Sequence, residues 1–353
     1  MKTESAIDPY PSSTPSLRGY LTRRRAMAVM ATLGLALGLA GLAALAIGSE
    51  AIGIGKILAA LWARTIGGAS PLSLEQEVIL FEIRLPRLAL AMGVGASLAV
   101  AGAAFQSLLR NPLADPYVLG ISGGAAVGSI LAIILVPGLI LGQPLFGFLG
   151  ATAAMLSVYW LGRREDDPAH LVLAGVVMST LLSSFIVLLT ALADNIRLRN
   201  ITLWLLGDLS SGTAQGAVFV LVVVVIAVSL LMTQARALNL MMIGERDAFA
   251  LGVETARVRW LVYLTASMLT AAAVTAGGAI GYVGLVVPHL IRLGAGSDNR
   301  LVIPASAIGG ALLVLIADAV ARSVVAPREL PTGAITALIG APAFLYLLIR
   351  SRK

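Results

Sequence analysis

The chain has 353 residues, of which 58% are hydrophobic and only 12% are charged, and it contains no cysteine. A soluble domain carries about a quarter charged residues, so this composition excludes an ordinary soluble protein. The missing thiols also exclude disulfides and thiolate metal sites. A net charge of +7 would suggest nucleic acid binding in a soluble protein. In so apolar a chain it indicates basic loops on the cytoplasmic face of a membrane.

The first 25 residues are polar, contain Pro9, Pro11 and Pro15, and are predicted to form a disordered cytoplasmic tail. The stretch TRRRAM at 22–27 resembles a twin-arginine signal. However, the apolar segment that follows is about 24 residues long, whereas that of a signal peptide has about 7–15. We therefore predict an uncleaved first membrane span.

Charge-free segments long enough for a helix to cross a bilayer, which takes about 20 apolar residues, recur along the chain. Two of them are interrupted, by VPGLILGQP and by AGGAIG, and are each predicted to hold two spans. The segments are 26–49, 88–109, 116–162, 169–193, 209–235, 260–291, 301–317 and 330–349. The prediction is an all-α polytopic membrane protein with ten transmembrane helices in one domain over residues 26–350.

The distribution of positive charge predicts which side each loop faces. Ten spans place both termini on one side, and with cytoplasmic termini seventeen of the 25 Lys and Arg residues lie in cytoplasmic segments, as the positive-inside rule favours. Arg322 and the RLPR sequence fall outside. Arg84 and Arg87 would share a helix face, and Pro86 suits a first helical turn. They form either lipid anchors or a cationic patch for an acidic partner.

The turn after the second span reads RNPLADPYVLGISGGAAVG, at residues 110–128. Within it Gly120, Gly124 and Gly128 recur every four residues, a spacing that lets helices approach closely in lipid. We predict that these glycines are helix-packing positions.

The same turn contains a G-x-S-x-G sequence around Ser122, which is the pattern of a catalytic serine. An intramembrane serine protease that uses His170 or His289 as its base is therefore one alternative, although close helix packing already accounts for these glycines. The pattern alone does not establish an enzyme.

The sequence lacks two features with which a transporter could supply its own energy. It contains no G-x-x-x-x-G-K-[ST] motif, so ATP is not bound here by a P-loop. Ion-driven carriers usually hold ionisable groups inside the membrane, but here only Asp318 enters a span, close to its outer end. A transporter of this composition needs energy from another subunit, with a self-powered secondary carrier as the alternative.

The largest predicted cytoplasmic loop covers about 236–259. It contains MIGERDAFALGV, an amphipathic stretch with Gly244 and Gly252 near its two ends. This stretch is predicted either to lie on the membrane surface or to form a short helix that docks on a soluble partner.

Four stretches together resemble the permease family of binding-protein-dependent ABC importers (type II) for iron chelates, haem and vitamin B12. They are RLPRLALAMGVGASLAVAGAAFQSLLRNPLADPYVLGISGGAAVG, GERDAFALGV, GGAIGYVGLVVPHLIRL and ELPTGAITALIGAPAFLYLL, in the family's order. The resemblance implies a homodimer in the bacterial inner membrane, with the pathway between its subunits. It further implies two copies of a cytoplasmic ATPase that bind ATP and Mg, and a periplasmic substrate-binding protein. It implies no catalytic residue, metal or cofactor in this chain.

The resemblance also implies roles for particular residues. Arginines of this family receive glutamates from the two lobes of the binding protein, and a cytoplasmic segment meets the ATPase. The docking positions are Arg84, Arg87 and Arg322, the ATPase-coupling positions are Glu245, Asp247, Ala248 and Gly252, and the gates are Leu113, Asp167 and Pro168. The last two depart from the small hydroxylated residues of the vitamin B12 relative. The expected substrate is an iron complex, either haem or a ferric siderophore, with cobalamin as the alternative.

Overall fold

The computed structural model describes residues 22–48, 50–117, 120–139, 142–162, 168–210, 212–325 and 328–350. In these ranges the regular structure is entirely helical. A π-helical segment, Ile79–Arg84, joins the α-helices Leu74–Val78 and Leu85–Leu108. The fourteen α-helices described are α1 (Arg23–Ala46), α2 (Ile54–Ile66), α3 (Leu74–Val78), α4 (Leu85–Leu108), α5 (Ile121–Leu135), α6 (Gly142–Gly162), α7 (Pro168–Ala191), α8 (Asn195–Leu205), α9 (Ala214–Ile243), α10 (Glu245–Ala250), α11 (Thr255–Gly277), α12 (Val283–Ala295), α13 (Asn299–Ser323) and α14 (Thr332–Arg350).

Seven helices in the described part of the chain are long and apolar enough to cross a membrane, if Leu74–Leu108 is taken as one. The shorter apolar helices α5, α12 and α14 lie where the sequence predicts further spans. The predicted all-helical membrane class is therefore confirmed. The count of ten spans and the cytoplasmic side of the termini stay predictions.

The centre of the bundle is α4, which packs against α9, α11, α12 and α13. Glycines allow this close packing. A Cβ atom on Gly95 would overlap the carbonyl group of Gly310 in α13, and one on Gly102 would overlap Gly284 in α12. The backbone of α4 therefore touches two neighbouring helices directly, as small residues permit in membrane proteins.

The glycines of α5 occupy two different environments. Gly124 and Gly128 face α6, where an added Cβ would overlap the backbone of Gly150 and of Phe146 respectively. Gly120 instead precedes the helix as its N-cap, with φ at 77°, in the left-handed region that glycine adopts without strain. Two of the three glycines thus lie at a helix contact, and the third allows the chain to enter α5.

The helix that carries the RLPR sequence begins earlier than its proline suggests. Pro86 is not in a first turn, because the helix runs without interruption from Leu74. Proline has no N–H for the carbonyl four residues back, and its ring crowds that carbonyl. The preceding turn is wider, and the Leu85 N–H donates to the Leu80 carbonyl, five residues back. Such π turns are frequent at functional sites.

The predicted coupling loop is shorter in the structure. Helix α9 continues to Ile243 and α11 begins at Thr255. Most of the intervening segment forms α10, so only two short connections lie between the long helices. The amphipathic stretch is therefore a short helix held between two spans.

Candidate docking and coupling surfaces

The three arginines proposed for docking lie together at one end of the bundle, where α1 and α13 end and α4 begins. Arg84 and Arg87 are only 5% and 6% exposed. The guanidinium of Arg84 donates to the carbonyl oxygen of Leu45, at 2.7 Å, and to that of Glu50. The isolated chain therefore does not present these two arginines as the open cationic patch that the sequence suggests.

Asp318, fully buried in α13, holds the other two arginines. Its carboxylate lies 2.9 Å from Nη2 of Arg87 and 3.1 Å from Nε of Arg322, and it accepts a 3.2 Å hydrogen bond from the Thr332 hydroxyl. Glu329 supplies a second carboxylate, 2.7 Å from Nη1 of Arg87. Burial of a charge is costly unless it is paired. Here one buried carboxylate fixes guanidinium groups from two helices.

We call this group the arginine cluster, and its members are Arg84, Arg87, Asp318, Arg322 and Glu329. The sequence points to the three arginines but not to the two carboxylates that hold Arg87 and Arg322. In the sequence Asp318 is only a charge near the end of a predicted span, and Glu329 is only the first residue of the ELPTG stretch. Arg87 and Asp318 are 231 positions apart, so no local pattern predicts that they meet.

A second polar network, which no motif in the sequence predicts, lies at the opposite end of α4. Arg292 of α12 donates to the Ser107 hydroxyl at 2.7 Å and to the Asn299 side-chain oxygen at 3.1 Å. The backbone N–H of Asn299 donates to the side-chain oxygen of Asn239, at 2.9 Å. These bonds connect α4, α9, α12 and α13 just before α9 leads into α10. The one signal in the sequence was an arginine one turn after the Pro288–His289 pair.

Asp298 completes this network as the N-cap of α13. It accepts hydrogen bonds from the guanidinium of Arg300, at 2.6 Å, and from the amide of Asn239, at 2.8 Å. The side-chain hydrogen bonds from Arg300 are the main reason that the pKa of the Asp298 carboxyl falls to about 2. The carboxylate is therefore ionised at neutral pH, and the cap and the network are both in place.

The surface around α10 is apolar. Ala248 is fully buried against the neighbouring helices, whereas Ile243, Phe249 and Leu251 are strongly exposed. Exposed apolar groups that cluster next to charged residues are typical of a protein or membrane contact. Both interpretations of the amphipathic stretch fit this surface.

The remaining coupling positions fix the shape of this segment. Glu245 is ion-paired with Arg259 of α11, which ties the start of α10 to the next span. Asp247 is exposed in the first turn of α10. Gly252 ends the segment with φ at 87°, and a Cβ there would meet nothing within 4 Å. The space beside Gly252 is therefore open and adjoins the apolar surface. A larger side chain at this position would obstruct a protein that binds there.

The gate positions are placed only in part. Leu113 is exposed in the turn between α4 and α5, where its N–H donates to the Asn111 side chain at 2.9 Å. Asp167 lies outside the described residues. Pro168 begins α7. The gate roles of all three remain predictions.

Residues 28–350 match the FecCD transport family. The chain belongs to this family. It is 42% identical over 292 residues to the cobalamin import system permease protein BtuC of Halobacterium salinarum, covering 81% of this chain and 78% of that protein. It is 42% identical over 283 residues to the hemin transport system permease protein HmuU of Yersinia pestis, covering 78% and 84%. It is 34% identical over 327 residues to the molybdate import system permease protein MolB of Haemophilus influenzae, covering 91% and 95%.

The fold also matches a solved structure, that of a metal-chelate type ABC transporter in an inward-facing conformation. The TM-score is 0.81 at 31% identity, covering 92% of this chain and 99% of that one. The resemblance drawn from the four stretches is confirmed. FecCD relatives are named as import permeases, and this favours a permease over the serine protease and the self-powered carrier.

Proposed function

We propose that this chain is the transmembrane permease subunit of an ATP-driven importer in the bacterial inner membrane. It moves a bulky metal chelate from the periplasm to the cytoplasm by alternating access. The observation that carries the proposal is the family match over residues 28–350. The sequence has no P-loop, so the energy comes from ATP and Mg bound by two copies of a separate ABC ATPase.

The ATPase docks at α10. The support is the exposed apolar surface of Ile243, Phe249 and Leu251, together with the resemblance of this segment to the coupling helices of the family. Leu251→Ser should lower the amount of ATPase recovered with the purified permease. Leu74→Ser is the matched control, because Leu74 is also a strongly exposed leucine but belongs to the opposite end of the bundle. Equal recovery with both variants would contradict an ATPase contact at α10.

Two copies of the chain form the transporter, with the pathway between them. Supporting this, α7 buries little of its surface within the chain, and its exposed positions include Thr180, Ser183 and Ser184. The hydroxyls of Thr180 and Ser184 donate to carbonyls of α7 itself, but small residues spaced four apart on a span let a second helix approach closely. Because the chain has no cysteine, Ser183→Cys would carry the sole thiol and should crosslink two copies. Val222→Cys, on an exposed face of α9, is the control and should not.

The substrate-binding protein docks at the arginine cluster. The family resemblance supports this role, as does the position of Arg84, Arg87 and Arg322 at the end of the bundle that the charge distribution places outside. Arg87 and Arg322 already have carboxylate partners and Arg84 has carbonyl acceptors, so docking would exchange existing partners for those of the binding protein. The contribution of each arginine is then smaller than that of an unpaired buried charge.

The substrate is an iron complex, either haem or a ferric siderophore. The 42% identity to a hemin permease supports this choice, and the same identity to a cobalamin permease keeps cobalamin as the alternative. The test is a titration of the periplasmic protein that docks on this permease, with haem, a ferric siderophore, cobalamin and molybdate in parallel. Preferred binding of cobalamin or molybdate would overturn the assignment of an iron complex.

A further inference from the structure

Arg87 has two carboxylate partners in very different surroundings. Asp318 meets it from inside the bundle, with Nε and Nη2 of Arg87 at 3.0 and 2.9 Å from Oδ1. Glu329 meets it from the other side, 2.7 Å from Nη1. The side chain of Asp318 has no exposed surface, whereas that of Glu329 is 45% exposed. One partner is fixed and the other is open to solvent.

The inner carboxylate cannot be exchanged for another. Asp318 also pairs with Arg322 and accepts the hydroxyl hydrogen bond of Thr332. If Asp318 moved away, the buried polar groups of Arg87, Arg322 and Thr332 would lose their partner, which is costly for buried groups. Asp318 therefore positions Arg87 whether or not a partner protein is bound.

The outer carboxylate can leave without moving the backbone that carries it. Glu329 lies in the short connection between α13 and α14, and the backbone there is held independently. The N–H of Leu330 donates to the carbonyl of Ala321, at 3.0 Å, and Thr332 is tied to Asp318. The Glu329 side chain can therefore turn into water while its backbone remains in place. The nitrogen that it vacates, Nη1 of Arg87, is the one turned away from the buried Asp318.

We propose that Glu329 is an internal placeholder, which occupies Nη1 of Arg87 in the undocked permease and yields it to a carboxylate of the substrate-binding protein. This inference rests on the proposed docking role of the arginine cluster. A mostly buried guanidinium left half-paired would be costly, and Glu329 removes that cost between docking events. Docking replaces one carboxylate on Arg87 by another, so the net change in free energy at this site is small. Docking therefore stays reversible, as repeated delivery of substrate requires.

The test compares Glu329→Gln with Glu82→Gln in the complete complex of permease and ATPase in lipid nanodiscs. Both variants remove one negative charge from exposed residues at the same end of the bundle. The probe is the substrate-loaded periplasmic protein that binds the wild-type complex. Glu329→Gln should tighten binding about two- to fivefold, because it removes competition from one ion pair whose carboxylate is half exposed, and should do so beyond any effect of Glu82→Gln. Equal affinities in the two variants, or weaker binding by Glu329→Gln, would overturn the placeholder.

A second variant keeps the negative charge at this position. Glu329→Asp shortens the side chain by one methylene group, so its carboxylate holds Nη1 of Arg87 less closely from the same backbone position. It should therefore tighten binding of the periplasmic protein in the same direction as Glu329→Gln, although no charge is removed. Wild-type affinity in Glu329→Asp beside tighter binding in Glu329→Gln would assign the effect to charge alone and would contradict the proposal.

The two proposals can fail separately. If Arg84→Gln binds the periplasmic protein as tightly as wild type, the docking role of the cluster is wrong and the placeholder falls with it. If Arg84→Gln weakens binding but Glu329→Gln behaves like Glu82→Gln, only the placeholder is wrong.

Discussion

The carboxylate of Asp318 lies 2.9 Å from Nη2 of Arg87 and joins α13 to α4 at one end of the bundle. The two helices touch again at Gly310. They meet a third time at the other end, where the Ser107 hydroxyl donates to the Asn299 side chain at 2.8 Å. Helices held at both ends and in the middle have little freedom to slide. We expect α4 and α13 to move as one body during transport.

Asp318→Asn should destabilise the permease strongly, because it removes the charge that neutralises Arg87 and Arg322 in a buried site. Loss of one partner of a buried ion pair costs about 3–5 kcal/mol. Thermal unfolding in detergent measures the effect. Glu254→Gln is the control, since it breaks an exposed pair with Arg257 and should cost less than about 1 kcal/mol. A similar loss of stability in the two variants would mean that the buried ion pair stabilises the permease no more than the exposed one.

Gly310→Ala should also be destabilising, because the added methyl group would overlap the backbone of α4 at Gly95. Overpacking of this kind costs about 1–3 kcal/mol. Gly38→Ala is a matched change within α1, where a Cβ would meet nothing within 4 Å, and it should be neutral or stabilising because alanine favours helix over glycine. Unfolding temperatures of the two variants decide the matter. A Gly310→Ala protein as stable as Gly38→Ala would show that the helices can separate freely.

Gly252→Arg should block assembly with the ATPase while the membrane bundle remains folded, because the large side chain would project into the open space beside α10. The positive φ of this residue adds a strain of about 1–2 kcal/mol for any side chain. Gly252→Ala carries the same strain without the bulk, and so separates the two effects. Co-purification of the ATPase should fall sharply for arginine and little for alanine. Equal recovery would place the contact elsewhere.

Arg84→Gln should weaken docking of the substrate-binding protein, and Arg84→Lys should retain more of it because the charge is kept. Truncation of one member of a partly desolvated interface pair costs about 2–5 kcal/mol, and docking should weaken further as salt is raised. Arg84 suits this test because its neighbours are carbonyl groups. Reversing Arg87 to glutamate would instead add a third carboxylate beside Asp318 and Glu329 and disturb the fold.

The long apolar helices could be predicted from the sequence because a helix that crosses the bilayer needs about 20 apolar residues. The arrangement of charge within the arginine cluster could not. The spacing of Arg84 and Arg87 predicts a pair on one helix face, but their burial depends on α1 and α13, which are distant in the sequence. The π turn before Pro86 could not be predicted either. A proline ordinarily indicates the start of a helix, whereas here the helix continues through it.

Close contacts between helices were predictable where the glycines repeat and not elsewhere. The spacing of four between Gly124 and Gly128 predicts a close helix contact, and the structure has it between α5 and α6. Gly95 and Gly310 stand on two separate helices, so their contact is fixed only when the whole bundle has assembled. Glycine spacing indicates that a helix packs closely, but it does not say against which helix.

The most direct test of the proposed function is substrate uptake into proteoliposomes. The full chain would be reconstituted with its ABC ATPase, and the substrate-loaded binding protein would be added on the side of the arginine cluster. The account predicts uptake only when ATP, the ATPase and the binding protein are all present, and no ATP hydrolysis by the permease purified without the ATPase. Uptake by the permease alone, or ATP turnover in a preparation free of any ATPase subunit, would contradict it.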